Sequence, residues 1–120
     1  MKKELIENNP VLKQTIEFSL MFIDYCEVLN NEKKFIVSNQ LLRSATSIGA
    51  NSMEAQNCES KADFIHKIKI AAKEADETQY WLVLCESSIG YPDCNHLSIK
   101  LQEIQRIINA ILGTAKRNMN

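Results

Sequence analysis

Glycine and proline are scarce here, 3 and 2 of 120 residues, and aromatic side chains make up only 7%. So few helix-interrupting residues argue against a chain of many turns and for long helices. Neither sign of charge dominates: 14 Lys and Arg stand against 15 Asp and Glu, a net charge of -1 with a pI near 6.1. That balance excludes a surface that is basic all over, although a local cationic patch survives a neutral total. No stretch approaches the roughly 18 to 20 consecutive apolar residues of a membrane span. The opening MKKELIENNP also lacks an apolar signal core, so the cytoplasm is the expected location and no membrane partner is expected. Cys26, Cys58, Cys85 and Cys94 form no CxxC pair, which removes the usual signal for zinc or thioredoxin-like chemistry and leaves four thiols expected to be reduced and inert. Gly-rich phosphate loops and Walker or Rossmann patterns are missing as well. No cofactor and no enzymatic activity are expected.

What is present is 45% apolar and 24% charged residues, enough to build a core in one domain spanning 1–120. The 3.6-residue rhythm predicts an all-α chain of four helices, about 10–30, 34–57, 61–89 and 94–115. The first follows Asn9-Pro10, an amide-bearing cap before a first-turn proline. Val11, Thr15, Phe18, Phe22, Tyr25 and Leu29 form its main stripe, and Leu12, Ile16, Met21, Ile23, Cys26 and Val28 widen it beyond what neighbours in one chain would cover. The second carries Val37, Leu41, Ser44, Ile48, Asn51 and Ala55 beside Ser47, Gly49 and Ser52, a small-residue face that predicts close packing. Ser60 and Asp63 have capping-box spacing, and Phe64, Ile68, Ala71, Ala75, Thr78, Leu82, Cys85 and Ile89 keep the rhythm through the third helix. Leu97, Leu101, Ile104, Ile108, Ile111 and Ala115 mark the fourth. Short connections imply an antiparallel up-down four-helix bundle.

Arg43, Ser47, Asn51 and Glu54 step along one side of the second helix, and a structural polar network with Glu74 and Glu77 is favoured over catalysis. A hairpin folded symmetrically about residue 59 makes positions summing to about 118 level, which puts Arg43 beside Glu74 and Glu77, expected to pair with it in a partly buried setting. It also sets Glu54 level with Phe64, roughly 15 Å from Glu74. His66 and His96 each follow an aspartate by three positions, yet they sit near opposite ends of the third helix, on the order of 35 to 40 Å apart, so no shared metal site is expected. Asp63 and Asp93 instead read as first-turn acids favoured by the helix dipole. Tyr80 shares a polar face with Lys69 and Lys73 and is a candidate for stacking on a base. Ile70, Trp81 and Leu84 extend the apolar band of the third helix and are candidates for an oligomer interface. One bundle end should gather Lys2, Lys3, Lys61, Lys67, Lys116 and Arg117, with Glu4, Glu7, Glu54, Glu59 and Asp63 close by; Lys61, Lys67, Lys116 and Arg117 are the candidate phosphate contacts.

The run from Gln40 to Asn51, QLLRSATSIGAN, is followed by Glu54-Ala55, by Ser60 to Ile65, and by Lys73-Glu74-Ala75, Glu77-Thr78 and Tyr80-Trp81-Leu82. Together these resemble the bacterial four-helix-bundle family also called the 23S rRNA intervening-sequence protein family, which is similar to the accessory variability determinants of diversity-generating retroelements. The likeness is close over about Lys33 to Leu84 and mainly one of pattern outside it. It implies a small helical protein without enzymatic activity, assembled as a ring-like homopentamer and linked to ribosomal RNA or to a reverse transcriptase. The expected function is therefore a non-enzymatic oligomeric helical scaffold associated with nucleic acid. A protein-interaction module without nucleic-acid binding is the alternative.

Overall fold

The computed structural model describes residues 3–118, and the described chain is helical with no strand. In order come α1 (Lys3–Glu7), α2 (Pro10–Asn31), α3 (Phe35–Ala55), α4 (Lys61–Ser87) and α5 (Asn95–Arg117). The short α1 is additional to the four helices expected, being too brief for periodicity to mark it. Cap chemistry sets the main boundaries. The Asn9 side chain accepts from the Leu12 N–H and the Ser60 hydroxyl accepts from the Asp63 N–H, so both helix starts gain a partner for a free amide. At the end of α2, Lys33 takes φ 63°, the left-handed position usually given to Gly or Asn, and the next N–H, that of Lys34, donates to the Leu29 carbonyl at 2.9 Å.

α4 stops at Ser87, two residues short of the expected Ile89. Ser88 is extended at φ -92° and ψ 134°, and Gly90 at φ 88° then turns the chain. Ile89, assigned to the core stripe by periodicity, is consequently fully exposed. α3 likewise ends two residues early, at Ala55, while α5 runs two residues further than expected, to Arg117.

The four long helices form a closed square: α2 packs on α3 and α5, α4 packs on α3 and α5, and α1 rests on α2 alone. Neighbours run antiparallel. Ser38 bonds the Cys26 carbonyl and Gly49 approaches Thr15, so α3 descends as α2 rises. Ser98 bonds Glu86 while Gln105 bonds Gln79, and the same holds for α5 and α4. The molecule measures 50 × 27 × 20 Å, with Phe18, Phe22, Leu41, Ile68, Leu101 and Ile104 among the side chains fully enclosed. Each such side chain contributes about 1.5 to 3 kcal/mol of transfer free energy. The small-residue face does bring backbones together: a Cβ on Gly49 would meet Cβ and Oγ1 of Thr15 at 3.1 Å. Among the described residues no buried side-chain nitrogen or oxygen lacks a partner.

Two registers differ from a symmetrical arrangement. Glu54 faces Lys67, at 2.9 Å, rather than Phe64, because α4 begins about a turn beyond the end of α3. Lys100 on α5 bonds both Gln14 and Glu17 of α2, which makes these positions level. From there α2 has only a few residues left before Pro10, whereas α5 continues to Arg117, so α5 outruns α2 by about ten residues, roughly 15 Å.

Candidate functional site

Arg43 stands on the outer side of α3 where it faces α4. Its Nη1 donates to Glu74 at 3.0 Å and its Nη2 to Glu77, whose carboxylate also accepts the Trp81 indole N–H at 3.1 Å. The Trp81 hydrogen bond, and then that of Arg43, holds the Glu77 carboxyl below the usual carboxylate range. About half of the Arg43 side chain, 49%, remains in solvent, so the setting is more open than the partly buried one expected, because no third helix covers that edge of the square. Ser47 donates to the Arg43 carbonyl at 2.7 Å and Asn51 to the Ser47 carbonyl at 2.9 Å. These two side chains therefore secure the α3 backbone rather than the ion cluster. Glu54 is outside that cluster too, tied to Lys67 two turns further along.

Beside this clamp lie the apolar candidates. Ile70, Trp81 and Leu84 are half-buried and occupy one stripe of α4 with Glu74 and Glu77. Tyr80 is 62% exposed, edge-on to Trp81 with ring centroids 6.0 Å apart. On the adjacent side of the bundle, Ile16, Leu20, Thr46, Ala50 and Met53 line an open cleft between α2 and α3, floored by Thr15 and Gly49. The widened stripe of α2 is thus divided: Leu12 and Cys26 enter the core, whereas Ile16, Ile23 and Val28 stay exposed with Leu20.

The cationic candidates do not form one patch. Lys61 Nζ donates to the Asn118 carbonyl at 3.3 Å and Arg117 donates to Thr114 at 3.2 Å, which gathers Lys61, Lys116 and Arg117 around the end of α5. Lys67 is drawn to the α3 side by Glu54. Tyr80 lies 19 residues along α4 from Lys61, about 28 Å away, and shares nothing with that end. Lys3 is exposed and Lys2 lies outside the described residues.

At the other end Tyr25 donates to the Pro92 carbonyl at 2.8 Å and is enclosed with Cys85 and Cys94. Burial, with Cys94 nearby, pushes the Cys85 thiol up to about 11, and burial also raises Cys26 and Cys94. Neutral thiols are poor nucleophiles and poor metal ligands. His66 and His96 are both exposed, and among the described residues no group of three or more His, Cys, Asp or Glu side chains could hold a metal ion. No helix among the described residues is long and apolar enough to cross a membrane.

Among the long-range contacts with no counterpart in the sequence reading are Lys100 with Gln14 and Glu17, Tyr25 with Pro92, Ser98 with Glu86, and Ser44 with Thr78. Only the last had a usable signal, since both hydroxyls fall on predicted core stripes.

A sequence model described as the 23S rRNA-intervening sequence protein family matches residues 7–110. A crystal structure from Bacteroides thetaiotaomicron, titled as a protein with unknown function from the S23 ribosomal protein family, is 40% identical. It superposes with a TM-score of 0.81, covering 85% of this chain and 97% of its own. No curated protein matches.

Proposed function

We propose that this chain, which belongs to the 23S rRNA-intervening sequence protein family, is a non-enzymatic helical scaffold. It assembles with copies of itself in the cytoplasm and acts alongside structured RNA or an RNA-using enzyme such as a reverse transcriptase. The observation that carries this reading is the distribution of surface chemistry. Arg43, Glu74 and Glu77 hold α3 to α4, and the buried thiols are raised out of the reactive range. Large apolar side chains meanwhile face outward on α2, α3 and α4. Surface of that kind calls for a partner rather than a substrate. The homopentamer implied by the family resemblance is one assembly that meets this need.

RNA contact is assigned to Lys61, Lys116 and Arg117 at the end of α5. One subunit offers too few cations for tight binding, and an assembly that repeats the cluster multiplies weak phosphate contacts. Light scattering after size exclusion should give several times 13.7 kDa. Filter binding to structured RNA should weaken steeply with salt and fall when Lys116 and Arg117 are both changed to Ala. The alternative, a protein-interaction module without RNA, draws on the tying of Lys67 to Glu54, which removes one candidate cation from that end. An oligomer whose RNA binding is absent or insensitive to salt would favour it.

A further inference from the structure

Because α2 begins at Pro10 while α5 continues to Arg117, the last turns of α5 leave one flank uncovered. Two adjoining hollows of about 480 and 380 Å³ lie along that flank and share Phe64, Ala110 and Ile111, so they form one trough. Pro10, Val11 and Ile107 enclose its inner part, and Thr114 and Ala115 continue it toward the end of the bundle. Ile111 and Ala115 fall on the core stripe of α5 by spacing, yet both are only half-buried, since α2 starts beside Ile111 and does not continue past it. From Ile107 to Ala115 the trough runs about 12 Å, a little over two helical turns.

No charged side chain lines it. Positive charge is confined to its outer end. Arg117 folds back along α5, its Nη2 donating to the hydroxyl of Thr114 at 3.2 Å, and Lys61 stands one turn before Phe64 on α4 with its Nζ on the Asn118 carbonyl. Among the described residues neither cation takes part in a salt bridge. Asp63, two positions after Lys61, projects about 160° away from it around α4, and neither Glu7 nor Glu59 reaches the lining. At the inner lip the Asn9 amide donates to Gln56 at 3.2 Å and its oxygen accepts from Leu12, while the Gln56 amide donates to the Ser52 carbonyl at 3.1 Å. These amides are engaged with one another and with their own helices, which leaves Asn8 as the one free amide that could meet the edge of a nucleobase. A nucleotide would also leave most of the apolar length unused, and a neutral oil would leave both cations unused.

We propose that this trough binds one monomeric anionic amphiphile, a straight-chain carboxylate of about ten carbons, with its tail along Phe64, Ile107 and Ile111 and its head between Lys61 and Arg117. An extended chain advances about 1.3 Å per carbon–carbon bond, which sets that length against the 12 Å of the trough. The trough is open on one side, so each methylene is half covered and should tighten binding by about twofold. The site goes beyond the scaffold reading, in which Lys61 and Arg117 meet RNA, and a measurement made without RNA keeps the two apart.

The test is calorimetric titration of the full-length protein with octanoate, decanoate and dodecanoate, each below its micelle concentration. One site per chain is expected, with decanoate about fourfold tighter than octanoate and dodecanoate little better than decanoate. Decyltrimethylammonium, which has the same tail and the opposite charge, should bind at least tenfold more weakly. Two exposed positions on α5 separate the trough from other apolar surface: Ala110→Asp should abolish binding, whereas Ile99→Asp, outside the trough, should leave it unchanged. Arg117→Glu should weaken it at least fivefold, and circular dichroism melts check that all three variants fold. Affinity that keeps rising with chain length, or equal binding of the cationic amphiphile, would mean adsorption without a site and overturn the proposal. Undiminished binding by Ala110→Asp would overturn the trough. Binding to anionic phospholipid vesicles without binding to decanoate would assign a membrane surface instead, and no heat at millimolar decanoate would remove the site altogether.

Discussion

The hydroxyls of Ser44 and Thr78 lie 2.9 Å apart across the α3–α4 contact, and neither residue is exposed. Each also reaches a carbonyl of its own helix, Leu41 at 3.2 Å and Glu74 at 2.8 Å, so both stay satisfied without water. The pair fixes which turn of α3 meets which turn of α4. Thr78→Val should cost about 1 kcal/mol, the usual net worth of a buried hydrogen bond. A double-mutant cycle with Ser44→Ala, followed by urea unfolding, should return a coupling of about 0.5 to 1.5 kcal/mol; additive losses would mean the hydroxyls do not interact.

The same substitution should act in opposite directions at two helical glycines. Gly113→Ala adds a methyl whose nearest neighbour is the mobile end of Arg117 at 3.5 Å, so the gain in helix propensity should appear as about 0.5 to 1 kcal/mol of stabilisation. Gly49→Ala drives a methyl against Thr15, whose hydroxyl is held at 2.7 Å by the Val11 carbonyl and cannot swing away. Here overpacking should outweigh propensity, for a net loss of about 1 kcal/mol. Melting temperatures of the two variants decide the point.

The Arg43 clamp should show in the pH dependence of stability. The Glu77 carboxyl is held low in the folded protein, so its contribution is complete above the ordinary carboxylate value and is lost as pH falls through the depressed one. Arg43→Met should therefore destabilise by about 1 kcal/mol at neutral pH, the upper end for an exposed pair because one guanidinium serves two carboxylates. The difference from wild type should shrink in acid. Chemical unfolding of both proteins from neutral pH to pH 3 measures it, and a constant difference would assign the loss to packing alone.

Thiol reactivity should divide by position. Cys26, Cys85 and Cys94 are buried with raised pKa values, whereas Cys58 sits half-buried in the α3–α4 connection. Ellman's reagent at neutral pH should modify one thiol quickly in the native protein and all four in guanidinium. Cys58→Ser should abolish the fast phase.

The four long helices were legible because their apolar spacing persists for more than twenty residues, long enough to overwhelm local exceptions. Registers were not, since the height at which α4 meets α3 depends on how the 56–60 connection is divided between them. The placement of Glu54 changed with that division. Ile89 was misassigned because a rhythm continues in sequence after Ser88 has left the helix. The broad stripe of α2 could be recognised as excessive but not apportioned. Which of Leu12, Ile16, Ile23 and Cys26 turns inward depends on where α3 and α5 stand, and periodicity in one helix carries no information about that. Arg43 could be matched with Glu74 and Glu77 because the clamp spans a full turn of α4 and tolerates a register error of one turn.

The overhang of α5 beyond α2 separates two cooperative units of unequal stability. Ile108 is the last fully enclosed residue of α5; Ala110 and Ile111 still share a cleft with Pro10 and Val11, and beyond them the helix has α4 beside it but no α2 at its other flank. Amide protons in its last two turns should exchange by local opening at a small fraction of the global unfolding free energy. Those near Ile48 and Leu101 should exchange only when the whole bundle opens. The end that gathers Lys61, Lys116 and Arg117 is in this way the least expensive part of the molecule to rearrange, and an RNA that ordered it would protect those amides first.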